Sequence, residues 1–260
     1  MIIDSHCHLS SSEIYADLAG VIERANLAGV SAMLNAGAKF DELDTQLQIS
    51  NAFKNIWTVT GVHPHDAVGY EDVSAEDVLK NTTHPKVVAI GECGLDYFYD
   101  FAPKDTQIKV FKQMIKAAQE CALPLIVHTR DADADTIEIL SDAYKKKTFS
   151  GVIHCYSSSK ELANEALKIG FYISASGMIT FNNAEKLRQN FEDIPLNKLL
   201  IETDSPYLAP VPMRGKVCEP AYVVLTAQRL ADVKGISFDE ICRLTSENFF
   251  KLFTKAKTDD

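Results

Sequence analysis

The chain opens with the apolar run Met1-Ile-Ile-Asp4 and continues Ser5-His-Cys-His8. A doubly wound α/β sheet usually places a glycine-rich phosphate turn after its first strand. Here two histidines at a spacing of two stand in that place. Seven further apolar runs recur, at Ser31–Ala36, Ile56–Val62, Val87–Ile90, Pro124–Val127, Gly151–Ile153, Phe171–Ser174 and Leu199–Ile201. Most are continuous Val, Ile and Leu, the pattern of strands buried on both faces of a parallel sheet. Helical patterns lie between them. Ile108, Phe111, Ile115 and Ala118 share one face, and Ser237 with Glu240 reads as a capping box before an apolar C-terminal helix. Eight strands with crossovers, about 30 residues per unit, predict an α/β chain folded as a (β/α)8 TIM-type barrel, with some distortion allowed. No internal repeat, Gly/Ser linker or low-complexity block interrupts residues 1–260, so one domain is expected. Lys145–Lys147 and the polar tail after Phe253 read as solvated surface.

Composition narrows the class. Apolar residues make up 46% and charged residues 24% of the chain, an ordinary globular balance. No apolar run approaches the roughly 20 residues that span a bilayer. Lys plus Arg is 26 against 36 Asp plus Glu, a net charge of −10. A broad basic surface is therefore excluded, and a nucleic-acid partner would need positive charge from another source. The six cysteines show no CxxC spacing, and the first strand begins too early to leave room for a signal peptide. Reduced thiols and a cytoplasmic location are the expectation.

The reactive side chains gather at strand ends. His6 and His8 follow the first run, His63 and His65 the third, and Glu92 the fourth. His128, His154 and Asp204 follow the fifth, sixth and eighth. In a barrel these C-terminal ends converge on the face where active sites are built. His84, in a polar loop before Pro85, reads as surface. Period two in His6-Cys7-His8 turns both imidazoles to one side and Cys7 to the other. Four histidines with Glu92 and Asp204 supply six nitrogen and oxygen ligands, enough for two divalent ions if the glutamate bridges them. Buried together without metal, they would leave costly unpaired polar atoms. Mixed imidazole and carboxylate donors suit Zn, Mn or Fe, and leave Mg open. Cys7, Cys93 and Cys155 each adjoin a proposed ligand, so alternation aims them away, as small buried apolar residues.

These residues carry a resemblance. Asp4-Ser-His-Cys-His8, Gly61-Val-His-Pro-His65, Ile90-Gly-Glu-Cys-Gly-Leu-Asp-Tyr97, His128-Thr-Arg-Asp-Ala-Asp133, His154-Cys-Tyr-Ser157 and Ile201-Glu-Thr-Asp-Ser-Pro-Tyr-Leu-Ala-Pro210 resemble the TatD-family metal-dependent deoxyribonucleases. The match runs in register from about residue 2 to residue 250. It implies a barrel related to the amidohydrolases, a two-metal centre, and 3′→5′ exonuclease or AP-endonuclease activity on DNA. The wider family also includes deacylases of misacylated tRNA, so an ester or amide hydrolase is the alternative. Carried over position by position, the resemblance implies that His6, His8 and Asp204 hold one metal and His128 and His154 the second, with Glu92 bridging. One segment departs from the family pattern: Arg214-Gly-Lys-Val-Cys-Glu-Pro220 carries Cys218 where an asparagine is usual.

Attack of a metal-bound hydroxide on phosphorus is the expected chemistry, with Glu92, Asp204 and His63 as catalytic groups. Asp204 would accept the water's proton, and His63 would face a phosphate oxygen or the leaving group. His65, Arg130 and Arg214 are the expected substrate contacts, with Lys216 a further cation; each also reads as an ordinary surface residue. Tyr97 and Tyr207 read either as base-stacking rings or as packing. Asp96 reads as a carboxylate orienting a histidine or as a loop cap. The expected partner is DNA, single-stranded or frayed at a 3′ end, engaged by a monomer.

Overall fold

The computed structural model describes residues 1–257. Each of those apolar runs forms a strand: β1 Ile2–Cys7, β2 Val30–Asn35, β3 Ile56–Thr60, β4 Val87–Asp96, β5 Leu125–Arg130, β6 Gly151–Ile153, β7 Tyr172–Ala175 and β8 Leu199–Ile201. All neighbours pair in parallel in the order β1 to β8, giving a nearly closed (β/α)8 barrel. Three strands run further than the apolar pattern indicates. β1 continues through His6 and β4 through Glu92 to Asp96, where neighbouring strands and the helix layer bury even their polar residues, and β5 continues through His128 to Arg130 beside the end of β4.

The seam between β8 and β1 is held differently from the other strand pairs. Asp204 N donates to His6 O at 3.0 Å and His8 N to Ser205 O at 2.8 Å. Below them the Asp4 carboxylate accepts from Thr203 N at 2.9 Å and Thr203 Oγ1 at 2.6 Å. A side chain thus takes the place of ladder bonds where the barrel closes.

The core has two layers. Ile3, Leu34, Val59, Ile126, Val152 and Leu200 meet inside the barrel, and Phe249, Leu252 and Phe253 from the C-terminal end plug it. The outer layer packs the other strand faces against the helices. The helix Lys104–Cys121 buries Phe111, Ile115 and Ala118 as its periodicity indicates. In the last helix, Phe238–Leu252, the Ser237 hydroxyl accepts from Glu240 N at 3.2 Å. The Glu240 carboxylate turns to Arg243 instead of completing the box. Among the described residues no helix is long and apolar enough to cross a membrane.

Candidate metal centre

Two bulges aim the candidate ligands. Between Asp4 and Cys7, β1 sets three residue steps against two of β2, and between Ile90 and Cys93, β4 does the same against β5. An extra residue flips the in–out alternation and re-aims the side chains beyond it. Ile3 therefore lies inside the barrel, whereas Cys7 lies in the outer layer with Sγ 3.5 Å from Leu34 O. His6 and His8 turn inward. Cys93 likewise faces out, toward Ile126 O, leaving Glu92 inside. Glycines make room at the second bulge. Gly94, at φ +142°, lies so close to β5 that a Cβ there would come 1.9 Å from His128 O.

Glu92 is buried at the centre, and its two oxygens face different partners. Oε2 lies 3.3 Å from His6 Nε2 and 3.6 Å from His8 Nε2. Oε1 lies 2.7 Å from His154 Nε2, 3.1 Å from His128 Nδ1 and 3.4 Å from His63 Nε2. Asp204 completes the first side, with Oδ1 3.4 Å from His8 Nε2 and 3.8 Å from His6 Nε2. The six residues expected to ligate metal are thus together, and His63 is beside them.

Burial alone would push the Glu92 carboxyl up, yet His154 and His63 hold it well below the ordinary carboxylate range. Asp204 is also depressed: His8, His154 and His6 outweigh its burial. His63 is pushed down to about 4 by burial, only partly offset by Glu92. Its Nδ1 accepts from His65 N at 3.2 Å, so the neutral ring carries its proton on Nε2, facing Glu92.

The outer nitrogens of two other imidazoles are also engaged. His154 Nδ1 meets Glu202 Oε1 at 3.2 Å, and Ser174 Oγ donates to the other Glu202 oxygen. His128 Nε2 meets Asp96 Oδ2 at 3.1 Å, an oxygen shared with His65 Nε2 at 2.9 Å. A carboxylate on the far nitrogen fixes the tautomer and leaves the inner nitrogen's lone pair free, the usual arrangement for a ligating histidine. His6 and His8 present Nε2 atoms to each other at 3.3 Å. Besides His63, whose Nε2 proton faces Glu92, the ring nitrogens of His6, His8, His128 and His154 converge on the same carboxylate, and this donor set fits divalent cations. Three groups have donor atoms within 4.8 Å of one another: His6, His8 and Glu92; His63, Glu92 and His128; and His6, His154 and Glu202.

The expected substrate contacts are less uniform. Arg130 is exposed and stacks on Phe98, its guanidinium carbon 3.7 Å from the ring centroid. Arg214 lies over Phe181 and donates to Ala209 O at 3.0 Å, so it braces its own loop. Lys216 is exposed. Tyr97 donates its hydroxyl to Asp135 at 2.6 Å and is packed, whereas Tyr207 is exposed and edges onto His8. Asp96 fills both roles read for it: Oδ2 orients histidines while Oδ1 accepts from Phe98 N and Tyr99 N. Cys218 is buried with its thiol toward Thr203 O, so the departure from the family pattern lies behind the site wall. His84 accepts from Lys86 N within its own loop.

Glu202 and Asp4 escaped the sequence reading. Each stands two residues before a candidate ligand, Asp204 or His6, and that spacing was the available signal.

A family model described as TatD related DNase matches residues 3–254. A metal-dependent hydrolase of Bacillus subtilis, YabD, is 39% identical over 253 residues, covering 97% of this chain and 99% of its own length. The 3'-5' ssDNA/RNA exonuclease TatD of Citrobacter rodentium is 33% identical over 257 residues, covering 97% of each. The crystal structure of YJJV, a TatD homolog from Escherichia coli, superposes with a TM-score of 0.87 at 26% identity, covering 97% of this chain and 98% of that one. With the family model spanning nearly its whole length, the chain belongs to the TatD-related DNase family of metal-dependent hydrolases.

Proposed function

We propose that this protein hydrolyses phosphodiester bonds of DNA from the 3′ end, acting as a monomeric, cytoplasmic exonuclease on single strands or frayed 3′ ends. The observation that carries the reading is the division of Glu92, one oxygen toward His6 and His8 and the other toward His128 and His154. His6, His8 and Asp204 would hold one divalent ion, His128 and His154 a second, with Glu92 between them. Divalent ions in such a site lower the pKa of water toward neutrality and offset charge developing on phosphate oxygens.

The chain's own groups supply the rest. Asp204, held ionised by its histidine neighbours, accepts a proton from the attacking water at its carboxylate. His63, neutral with its proton on Nε2, donates to a phosphate oxygen or to the leaving oxygen. Arg130 and His65, on the mouth side of Asp96, contact the substrate backbone, and Arg214 steadies the loop after Asp204. Six cysteines without a disulfide support a reducing compartment. The exonuclease name of the Citrobacter rodentium relative points to the same substrate class.

The test is incubation with single-stranded DNA labelled at its 5′ end, with Mg, Mn or Zn supplied. A ladder shortening from the 3′ end with release of nucleoside monophosphates is expected. Turnover of aminoacyl esters with no nucleotide release would replace this reading with the deacylase one.

A further inference from the structure

The loop after β4 is unusual for a protein this acidic. Phe98, Tyr99 and Phe101 are 54%, 43% and 61% exposed within four residues. Large apolar rings rarely crowd together at a surface without a partner. They are not held loosely. Phe98 N and Tyr99 N both donate to Asp96 Oδ1, at 3.0 and 3.1 Å. The buried Gln107 amide accepts from Asp96 N and donates to Asp96 O and Ala102 O. The carboxylate that orients His128 therefore also fixes the backbone from which these rings project.

The rings form a continuous line into the candidate centre. Centroids are 4.8 Å apart from Phe98 to Tyr99, 5.3 Å from Tyr99 to Phe101 and 4.8 Å from Phe101 to His65. The line continues 4.4 Å from His65 to His63, which faces Glu92. At the outer end the Arg130 guanidinium lies 3.7 Å from the Phe98 centroid and 4.9 Å from that of Tyr99. It makes no ion pair among the described residues. Asp100 is the loop's one exposed carboxylate. An unpaired cation beside half-exposed rings matches the repeating chemistry of a nucleic-acid strand, a phosphate next to a base.

We infer that Phe98, Tyr99 and Phe101, with Arg130, form a stacking platform for the bases on the 5′ side of the scissile bond and set a preference for single strands. This rests on the nuclease reading above. The departing 3′ nucleotide must leave after each turnover, whereas the remaining strand must be retained, and a platform of several rings leading away from Glu92 suits the retained part. Base faces are accessible in a single strand and covered in a duplex, so these rings discriminate between the two without reading sequence.

The experiment measures kcat and KM on a short oligothymidylate, and on versions in which one abasic residue is moved stepwise from the 3′ end. Binding of the same oligonucleotides to chelated protein is followed by fluorescence anisotropy. For the wild-type chain, abasic positions just 5′ of the scissile bond should raise KM and weaken binding about 5- to 100-fold, the range of one base–aromatic stack. Phe98→Ala with Phe101→Ala should impose a similar loss on the intact oligonucleotide and under twofold on the abasic ones. Phe98→Trp should retain tight binding, which separates stacking from simple destabilisation. Wild-type protein that degrades the strand with a flat abasic scan overturns the platform and leaves the nuclease reading standing. Wild-type protein that neither binds nor degrades the strand overturns both.

Discussion

Asp96 Oδ2 lies 3.1 Å from His128 Nε2, at the ring nitrogen that does not face Glu92. The carboxylate is buried, which alone would raise its pKa. Hydrogen bonds from His128, Tyr99 N and His65 instead hold it well below the usual carboxylate range. It is therefore ionised wherever the protein is folded near neutrality, and it keeps the His128 proton on Nε2. The inner Nδ1 keeps its lone pair.

Asp96→Asn should accordingly weaken the centre without emptying it of shape. The amide keeps the outline of the carboxylate but loses the charge and one acceptor. Metal affinity and kcat should each fall about 10- to 100-fold, as for other partners of ligating histidines. Metal titration alongside turnover checks it, and unchanged affinity would reduce Asp96 to a loop cap.

Glu92→Gln should lose at least one metal ion and nearly all activity while the fold survives. The amide offers one neutral oxygen where the carboxylate offers two charged ones. Elemental analysis returning two ions per chain together with near-normal turnover would contradict a bridging role.

Gly94→Ala should be among the most damaging single substitutions in the barrel. Its Cβ would meet the His128 carbonyl oxygen, which is backbone and cannot turn aside, and φ is positive there. A loss of about 3 kcal/mol or more is expected in denaturant unfolding. A wild-type midpoint would mean that β4 and β5 can separate locally at no cost.

The seam carboxyl of Asp4 has a pH signature. Burial pushes its pKa up to about 8, against the opposing hydrogen bonds from Thr203 and His6. Unfolded, it titrates at about 4. The folded chain thus holds more protons between these values, so this group's contribution to stability is full at acid pH and is lost as pH rises toward 8. Asp4→Asn, which can donate to Thr203 Oγ1 at every pH, should flatten that slope. Unfolding of chelated protein at pH 5 and pH 8 tests this, and parallel pH profiles would place the charge elsewhere.

Salt should matter little. The chain carries −10 and offers few cations at the mouth, Arg130 foremost. One to three phosphates neutralised by side chains correspond to a log–log slope of about −1 to −2 for single-stranded DNA. A slope of about −5 or steeper in kcat/KM against monovalent salt would reveal a basic track that neither sequence nor fold presents.

The eight strands and the candidate ligands could be read from the chain because both depend on local order. The stretch of a strand buried on two faces in the barrel wall is apolar, and the polar residues that follow it in the chain are carried to the barrel mouth whatever the helices do. Hence Val87–Ile90 and Leu199–Ile201 announced β4 and β8, and Glu92 and Asp204 stood where expected. Tertiary structure alone decided which atoms meet. The split of Glu92 between two pairs of histidines depends on bulges in β1 and β4, which local pattern does not encode. Glu202 reaches His154 across 48 residues and Asp4 reaches Thr203 across 199. The value of such carboxylates lies in removing water from both partners at once, and no residue carries that in its own sequence neighbourhood. Phe98, Tyr99 and Phe101 show the same limit from the other side. Aromatic residues in a loop read as packing until the fold leaves them uncovered, and the Asp96 and Gln107 hydrogen bonds hold their backbone in place.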